Sequence, residues 1–196
     1  MRSTFQRALC ASLAFAITGC APSISVRTMT APEAGLEQLH MFRVLPGPAR
    51  RDGRPVTGAD DPMINNSIAN RAIREQITQA FHARGYGLDE LRPDFVVAFY
   101  ASSREKLDVT VWDYGYPFHP GWPRYDRSRQ SVTQYSEGTV IVDVLNPRTR
   151  LLLWRGEGTA ELSNDPNENL KQLAKVANKI IAKFPRAKTS LVAVRR

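Results

Sequence analysis

Cysteine is nearly absent from this chain, with only Cys10 and Cys20 in 196 residues. Cys10 lies in a segment expected to be cleaved. One remaining thiol builds neither a disulfide framework nor a thiolate metal site. Histidine is as scarce, and His40, His82 and His119 stand too far apart in sequence to give a local ligand spacing. The chain has no glycine-rich phosphate loop followed by Lys-Ser/Thr, no G-x-S-x-G elbow and no H-E-x-x-H pair. No metal and no cofactor is therefore expected. A Ser/His/Asp site assembled only by the fold stays open, with His119 and either Asp113 or Asp126 as the pair to examine. Glu137 would serve as a general acid if buried, and otherwise reads as a surface or bulge residue.

What is present is the composition of an ordinary globular domain, 42% hydrophobic and 23% charged. The formal charge is +8. Nucleic acid is the first partner such a balance suggests. No helix-turn-helix, zinc or RNA-binding signature accompanies it, and the leader points out of the cytoplasm, so no nucleic-acid partner is expected. A solvated basic surface is the plain reading, with anionic lipid or polysaccharide as the other.

The leader is Met1 to Gly19. Arg2 and Arg7 form a positive start, and Ala8 to Ile17 is an apolar run too short for a spanning helix, which needs ~20 residues. The run closes on Ile17-Thr18-Gly19-Cys20, which resembles the bacterial lipobox, with isoleucine in place of the usual leucine. The resemblance implies cleavage before Cys20 and acylation of its thiol. An ordinary secretory signal cut after Ala14-Phe15-Ala16 is the other reading. Removing residues 1–19 takes Arg2 and Arg7 and no acid, leaving 25 of the 27 basic residues against 19 acidic. Each buried acyl CH₂ contributes ~0.8 kcal/mol, so two or three chains on Cys20 would hold the protein firmly to a membrane. Ala21 in place of an aspartate implies, by the same resemblance, the inner leaflet of the outer membrane, facing the periplasm.

Four segments are read next: residues 1–19 as signal peptide, 20–35 as lipidated N-terminus, tether and first strand, 36–185 as one domain, and 186–196 as a basic tail. The longest pattern is a hairpin from Tyr135 to Leu162. Val140, Val142 and Val144 alternate with Thr139, Ile141 and Asp143, Asn146-Pro147 supplies a turn, and Leu151 to Trp154 return. Further strands are expected at 23–30, 38–45, 94–102 and 106–112. Asp61-Pro62 and Asp165-Pro166 read as helix starts. The first helix would run to Arg84, burying Ile64, Ile68, Ile73, Ile77, Ala80 and Phe81. The second would bury Leu170, Leu173, Ala174, Ala177, Ile181 and Phe184 and set Lys171, Lys175, Lys179 and Lys183 on a solvated face. The loop from Asp113 to Arg127 holds Tyr114, Tyr116, Phe118, His119, Trp122 and Tyr125. It is either a recognition surface for an envelope protein or glycan, or cover for the sheet. Arg155 beside Trp154 carries the same ambiguity.

Several of these stretches together resemble the bacterial lipoprotein family called domain of unknown function 4136. They are Arg84-Gly85-Tyr86, Arg92-Pro93-Asp94-Phe95-Val96-Val97, Tyr135-Ser136-Glu137-Gly138-Thr139, Leu153-Trp154-Arg155-Gly156 and Lys183-Phe184-Pro185. The resemblance covers roughly Ile24 to Pro185 and brings no activity with it. The fold expected is α+β, a largely antiparallel sheet of five or six strands with two helices on one face and the other face partly exposed and partly screened by the aromatic loop. The function expected is that of a lipid-anchored, periplasm-facing protein that binds or supports and is not an enzyme. A carrier of a small apolar molecule and a hydrolase are the alternatives.

Overall fold

The computed structural model describes residues 24–50, 61–102, 107–108, 112–113, 134–135 and 138–188. Its strands are β1 (Ser25–Thr30), β2 (Met41–Val44), β3 (Ala49–Arg50), β4 (Gly87–Leu88), β5 (Phe95–Ala101), β6 (Leu107–Asp108), β7 (Trp112–Asp113), β8 (Gln134–Tyr135), β9 (Thr139–Leu145) and β10 (Leu152–Thr159). Its helices are α1 (Ile68–His82) and α2 (Pro166–Ile181). Six strands form one sheet in the order β1-β10-β9-β5-β2-β4.

The hairpin lies at the centre of that sheet. β9 and β10 pair antiparallel from Thr139↔Thr159 to Val144↔Trp154, with a bulge before Leu152↔Leu145. Its turn closes on Asn146, whose side-chain oxygen accepts from the N–H of Arg148 and of Thr149. Gly138, where the chain enters β9, has φ 67°, and a Cβ there would lie 2.2 Å from the Ala160 carbonyl oxygen, so no other residue fits the Glu-Gly-Thr motif.

The sheet is largely antiparallel, as expected, with one parallel exception: β2 runs parallel to both β5 and β4. Asp94 fixes that arrangement. One of its carboxylate oxygens accepts from the backbone N–H of both His40 and Met41, at 2.9 Å each. This stitches the start of β2 to the start of β5 and sets Phe42 opposite Phe95.

Within the strand expected at 106–112, Leu107–Asp108 and Trp112 are described as strand, and β6 and β7 pair with β8 and β3 respectively; 106 and 109–111 lie outside the described residues.

Both helices cover one face of the sheet. Phe81 and Ile77 of α1 and Leu173, Ala177, Ile180 and Phe184 of the α2 region meet Phe42, Phe95, Phe99, Val142 and Trp154 in one core. Asp165 caps α2 as expected, accepting from the Asn167 N–H, with Pro166 at the first position.

The first helix starts later than Asp61. Asn66 has φ 65°, a left-handed conformation through which no helix passes. Ser67 takes the cap instead, its hydroxyl accepting from the Asn70 N–H. Asp61 closes a turn onto the Met63 N–H. Ile68 consequently stands 61% exposed, and Ile64 and Ala80 are only half-buried.

The opposite face was expected to be partly exposed and partly screened by the aromatic loop. Every residue of β5 and β9 at the sheet centre is buried and β1 at the edge is mostly exposed, while the loop itself lies outside the described residues.

Candidate functional site

The parity of the central strands decides what faces away from the helices. β9 and β10 turn Val140, Val142, Val144, Trp154, Gly156 and Gly158 toward the helical core. Thr139, Ile141, Asp143, Arg155 and Glu157 therefore lie on the far face. Register then aligns Ala98, Asp143, Arg155 and Met29 across β5, β9, β10 and β1, with Tyr100, Ile141, Glu157 and Arg27 in the row beside them.

These rows form a charged ladder. Arg155 donates from Nε to Asp143 Oδ1 at 2.5 Å and from its second nitrogen to Oδ2, a bidentate pair with both members buried. Arg27 donates to Glu157 at 2.6 Å at the sheet edge. The side chains run from 2% exposed at Arg155 to 66% at Arg27. Further along the same strands, Tyr100, Ser102 and Thr139 are buried and engaged.

Arg155 therefore does not stack on Trp154. Neighbouring residues of a strand point to opposite faces, so Trp154 enters the helical core and Arg155 the far side. Each Asp143 oxygen already accepts a charged N–H, which leaves this carboxylate no free role as a general base. The turn alone would set Asp143 opposite Trp154; the bulge between Leu152 and Trp154 shifts the register by one and brings Asp143 opposite Arg155.

The candidate site residues singled out earlier divide into two groups. Cys20, Tyr114, Tyr116, Phe118, His119, Trp122, Tyr125, Asp126 and Glu137 lie outside the described residues, as does the Asp113 side chain. His40 and His82 are described. The His82 Nδ1 is 2.9 Å from the Tyr86 carbonyl oxygen, and its ring meets Phe42 edge-on. Among the described residues no three His, Cys, Asp or Glu side chains cluster as a metal site would.

The lysine row does lie on the outside of α2. Lys171 pairs with Glu168 at 2.7 Å, and that hydrogen bond and charge hold its ammonium above the ordinary lysine range. Beyond the helix end, burial and then the nearby Arg186 charge push the Arg84 guanidinium below its usual value. Burial likewise raises Tyr86, whose hydroxyl donates to the Pro185 carbonyl at 3.2 Å.

Between α2 and the sheet there is direct contact. A Cβ at Gly158 would lie 2.6 Å from Val176 Cγ1, and one at Gly156 would lie 2.2 Å from Ile180 Cγ2. Glycine at both positions lets the helix rest on the strand backbone, and no room for a carried molecule remains there. Among the described residues no helix is long and apolar enough to cross a membrane.

The family model described as Domain of unknown function (DUF4136) matches residues 26–186. A crystal structure of a protein of that family from Bacteroides thetaiotaomicron is similar at 16% identity and a TM-score of 0.50, over 81% of this chain and 94% of that one. A PDZ domain protein from Parabacteroides distasonis is similar at 12% identity and a TM-score of 0.48, over 85% of this chain and 37% of that one. The PelC dodecamer from Paraburkholderia phytofirmans gives 10% identity and a TM-score of 0.41, over 85% and 99%. No curated protein matches the chain.

Proposed function

The chain belongs to the Domain of unknown function (DUF4136) family, and on that premise we propose that it is a lipid-anchored envelope protein, facing the periplasm, that works by binding. The lipobox-like Ile17-Thr18-Gly19-Cys20 supports the anchor, and the fold begins close behind it. Ile24 already packs against the core and β1 begins at Ser25. Three residues separate Cys20 from Ile24, four Cα-to-Cα steps with a reach of about 14 Å when extended. An acylated Cys20 would hold the sheet edge close to the bilayer.

Binding rather than carriage is favoured by the closed contact of α2 on Gly156 and Gly158. Binding rather than hydrolysis is favoured by the commitment of Asp143 to Arg155. The aromatic residues Tyr114, Tyr116, Phe118, Trp122 and Tyr125 supply stiff amphipathic contact area suited to a protein or glycan partner.

Two experiments test the two halves. In membrane fractions, Cys20→Ala should release the protein and lose the mass of the acyl groups; continued sedimentation with lipid would sink the anchor. A photo-reactive residue at Trp122 should give a discrete adduct in cells that the same residue at Lys175 does not. Adducts at neither position would remove the loop as a recognition surface.

A further inference from the structure

The two edges of the main sheet are finished differently. At the β2 edge, β4 covers Met41 and Phe42, the Asp89 N–H donates to the Phe42 carbonyl, and the Arg74 guanidinium donates to the Val44 carbonyl at 3.3 Å. That edge is blunted. The β1 edge pairs with β10 along its whole length on one side, and five of its six residues are exposed. It carries no proline and no bulge, and its one charge, Arg27, is tied to Glu157. These are the devices by which edge strands are usually kept from pairing, and β1 lacks them.

The hydrogen-bond phase of β1 follows from its neighbour. The Ala31 N–H donates to the Leu153 carbonyl at 2.9 Å, in register with the β1–β10 ladder. Backbone groups alternate along an antiparallel strand, so Ser25, Arg27 and Met29 face β10, and Val26, Thr28 and Thr30 aim their N–H and C=O groups outward.

We propose that this edge docks the same edge of a second copy, antiparallel, with Thr28 opposite Thr28 on a two-fold axis normal to the sheet. In that register Val26 lies opposite Thr30 of the second copy, and every outward N–H and C=O of the three residues meets its complement. Arg27 lies opposite Met29. Centring the axis on Arg27 instead would set two guanidinium-bearing residues face to face and leave the Thr30 groups unpaired. Shifting by one residue would face outward groups with inward ones. The strand is thus self-complementary in one register, the condition for an isologous interface. The two six-stranded sheets become one continuous sheet, with both helical layers on the same side.

The test uses the full chain with Cys10 and Cys20 replaced by alanine, purified in detergent. Across a hydrogen-bonded pair the Cα atoms are about 5.5 Å apart, within disulfide range. Two Arg27 positions would be about 8 Å apart, beyond it. Oxidation should therefore give a covalent dimer from Thr28→Cys, and at least tenfold less from Arg27→Cys. The parent should sediment as a dimer. Thr28→Pro removes an outward N–H without touching the β10 ladder, so it should keep its circular dichroism and dissociate at least tenfold more readily. A parent that sediments as a monomer at high concentration, or equal crosslinking at the two positions, would overturn the pairing. Capture of a different protein by Thr28→Cys in cells, with no self-adduct, would assign the edge to that partner instead.

Discussion

Replacing Gly156 with alanine should loosen the packing of α2 on the sheet. The added Cβ would lie 2.2 Å from Ile180 Cγ2 and 2.5 Å from Trp154 Cη2, against side chains that are 0% and 1% exposed. Neither neighbour has solvent to retreat into. Alanine also gains about 0.4–1 kcal/mol over glycine by restricting the unfolded chain. Overpacking a filled core costs about 1–3 kcal/mol, and with two contacts violated the upper part of that range applies. The net should be a loss of ~2 kcal/mol, read by urea denaturation followed at 222 nm. A double-mutant cycle with Ile180→Ala sharpens the test. That truncation alone should cost about 2–5 kcal/mol by opening a cavity. In the double variant the alanine methyl enters the space that Ile180 vacates, so the two losses should fall short of their sum by about 1–2 kcal/mol. Gly156→Ala as stable as the parent would refute the reasoning, and so would strict additivity.

Asp143→Ala should cost about 3–5 kcal/mol, because it leaves the Arg155 charge buried without its carboxylate, whereas the Asp143→Leu, Arg155→Met double variant should recover most of that loss. A double variant as unstable as the single would show that the pair is more than a compensated burial. Tyr86 is held above the ordinary tyrosine range, by burial first and against the opposing charge of Arg84. A raised folded pKa means stability present below the unfolded value, about 10, and lost as pH rises through the folded value. The melting temperature of the parent should fall relative to that of Tyr86→Phe across this alkaline window, and parallel curves would dismiss the effect. Ser67→Ala should cost about 1 kcal/mol in thermal unfolding, as expected for a helix cap. Asp61→Ala would cost the more of the two only if the helix began at Asp61.

The hairpin was legible because its information is local. Alternating valines, a turn closed by Asn146 and a returning apolar run specify strand, turn and partner together, but not the bulge after Leu152 that sets Asp143 opposite Arg155. The two Asp-Pro dipeptides show where local reading stops. After Asp165-Pro166 the apolar stripe continues unbroken and the helix starts there. After Asp61-Pro62 come Asn65 and Asn66, and a left-handed Asn66 moves the start to Ser67. The parallel placement of β2 was not legible, because it rests on the Asp94 carboxylate gripping backbone some fifty residues earlier. Nor does the composition of the loop around Trp122 specify geometry: Tyr, Trp and Pro suit a binding surface and a cover equally well.

The free edge and the short tether constrain each other. A single lipid four residues from β1 would fix how near the domain comes to the bilayer but not how it is turned. Antiparallel pairing about Thr28 sends the two β1 N-termini in opposite directions. The two Ser25 positions would be separated by about 20 Å along the strand axis, given ~3.4 Å per residue. Two anchors at that spacing would define a line, and the shared strands would have to lie parallel to the membrane. The same pairing would bring both copies of the α2 lysine row to one side of the joined sheet. A monomer held by one lipid would need some other contact to achieve a fixed orientation. With the anchor proposed above, the β1 edge would serve as the means of fixing orientation rather than as a place where edge protection was left out.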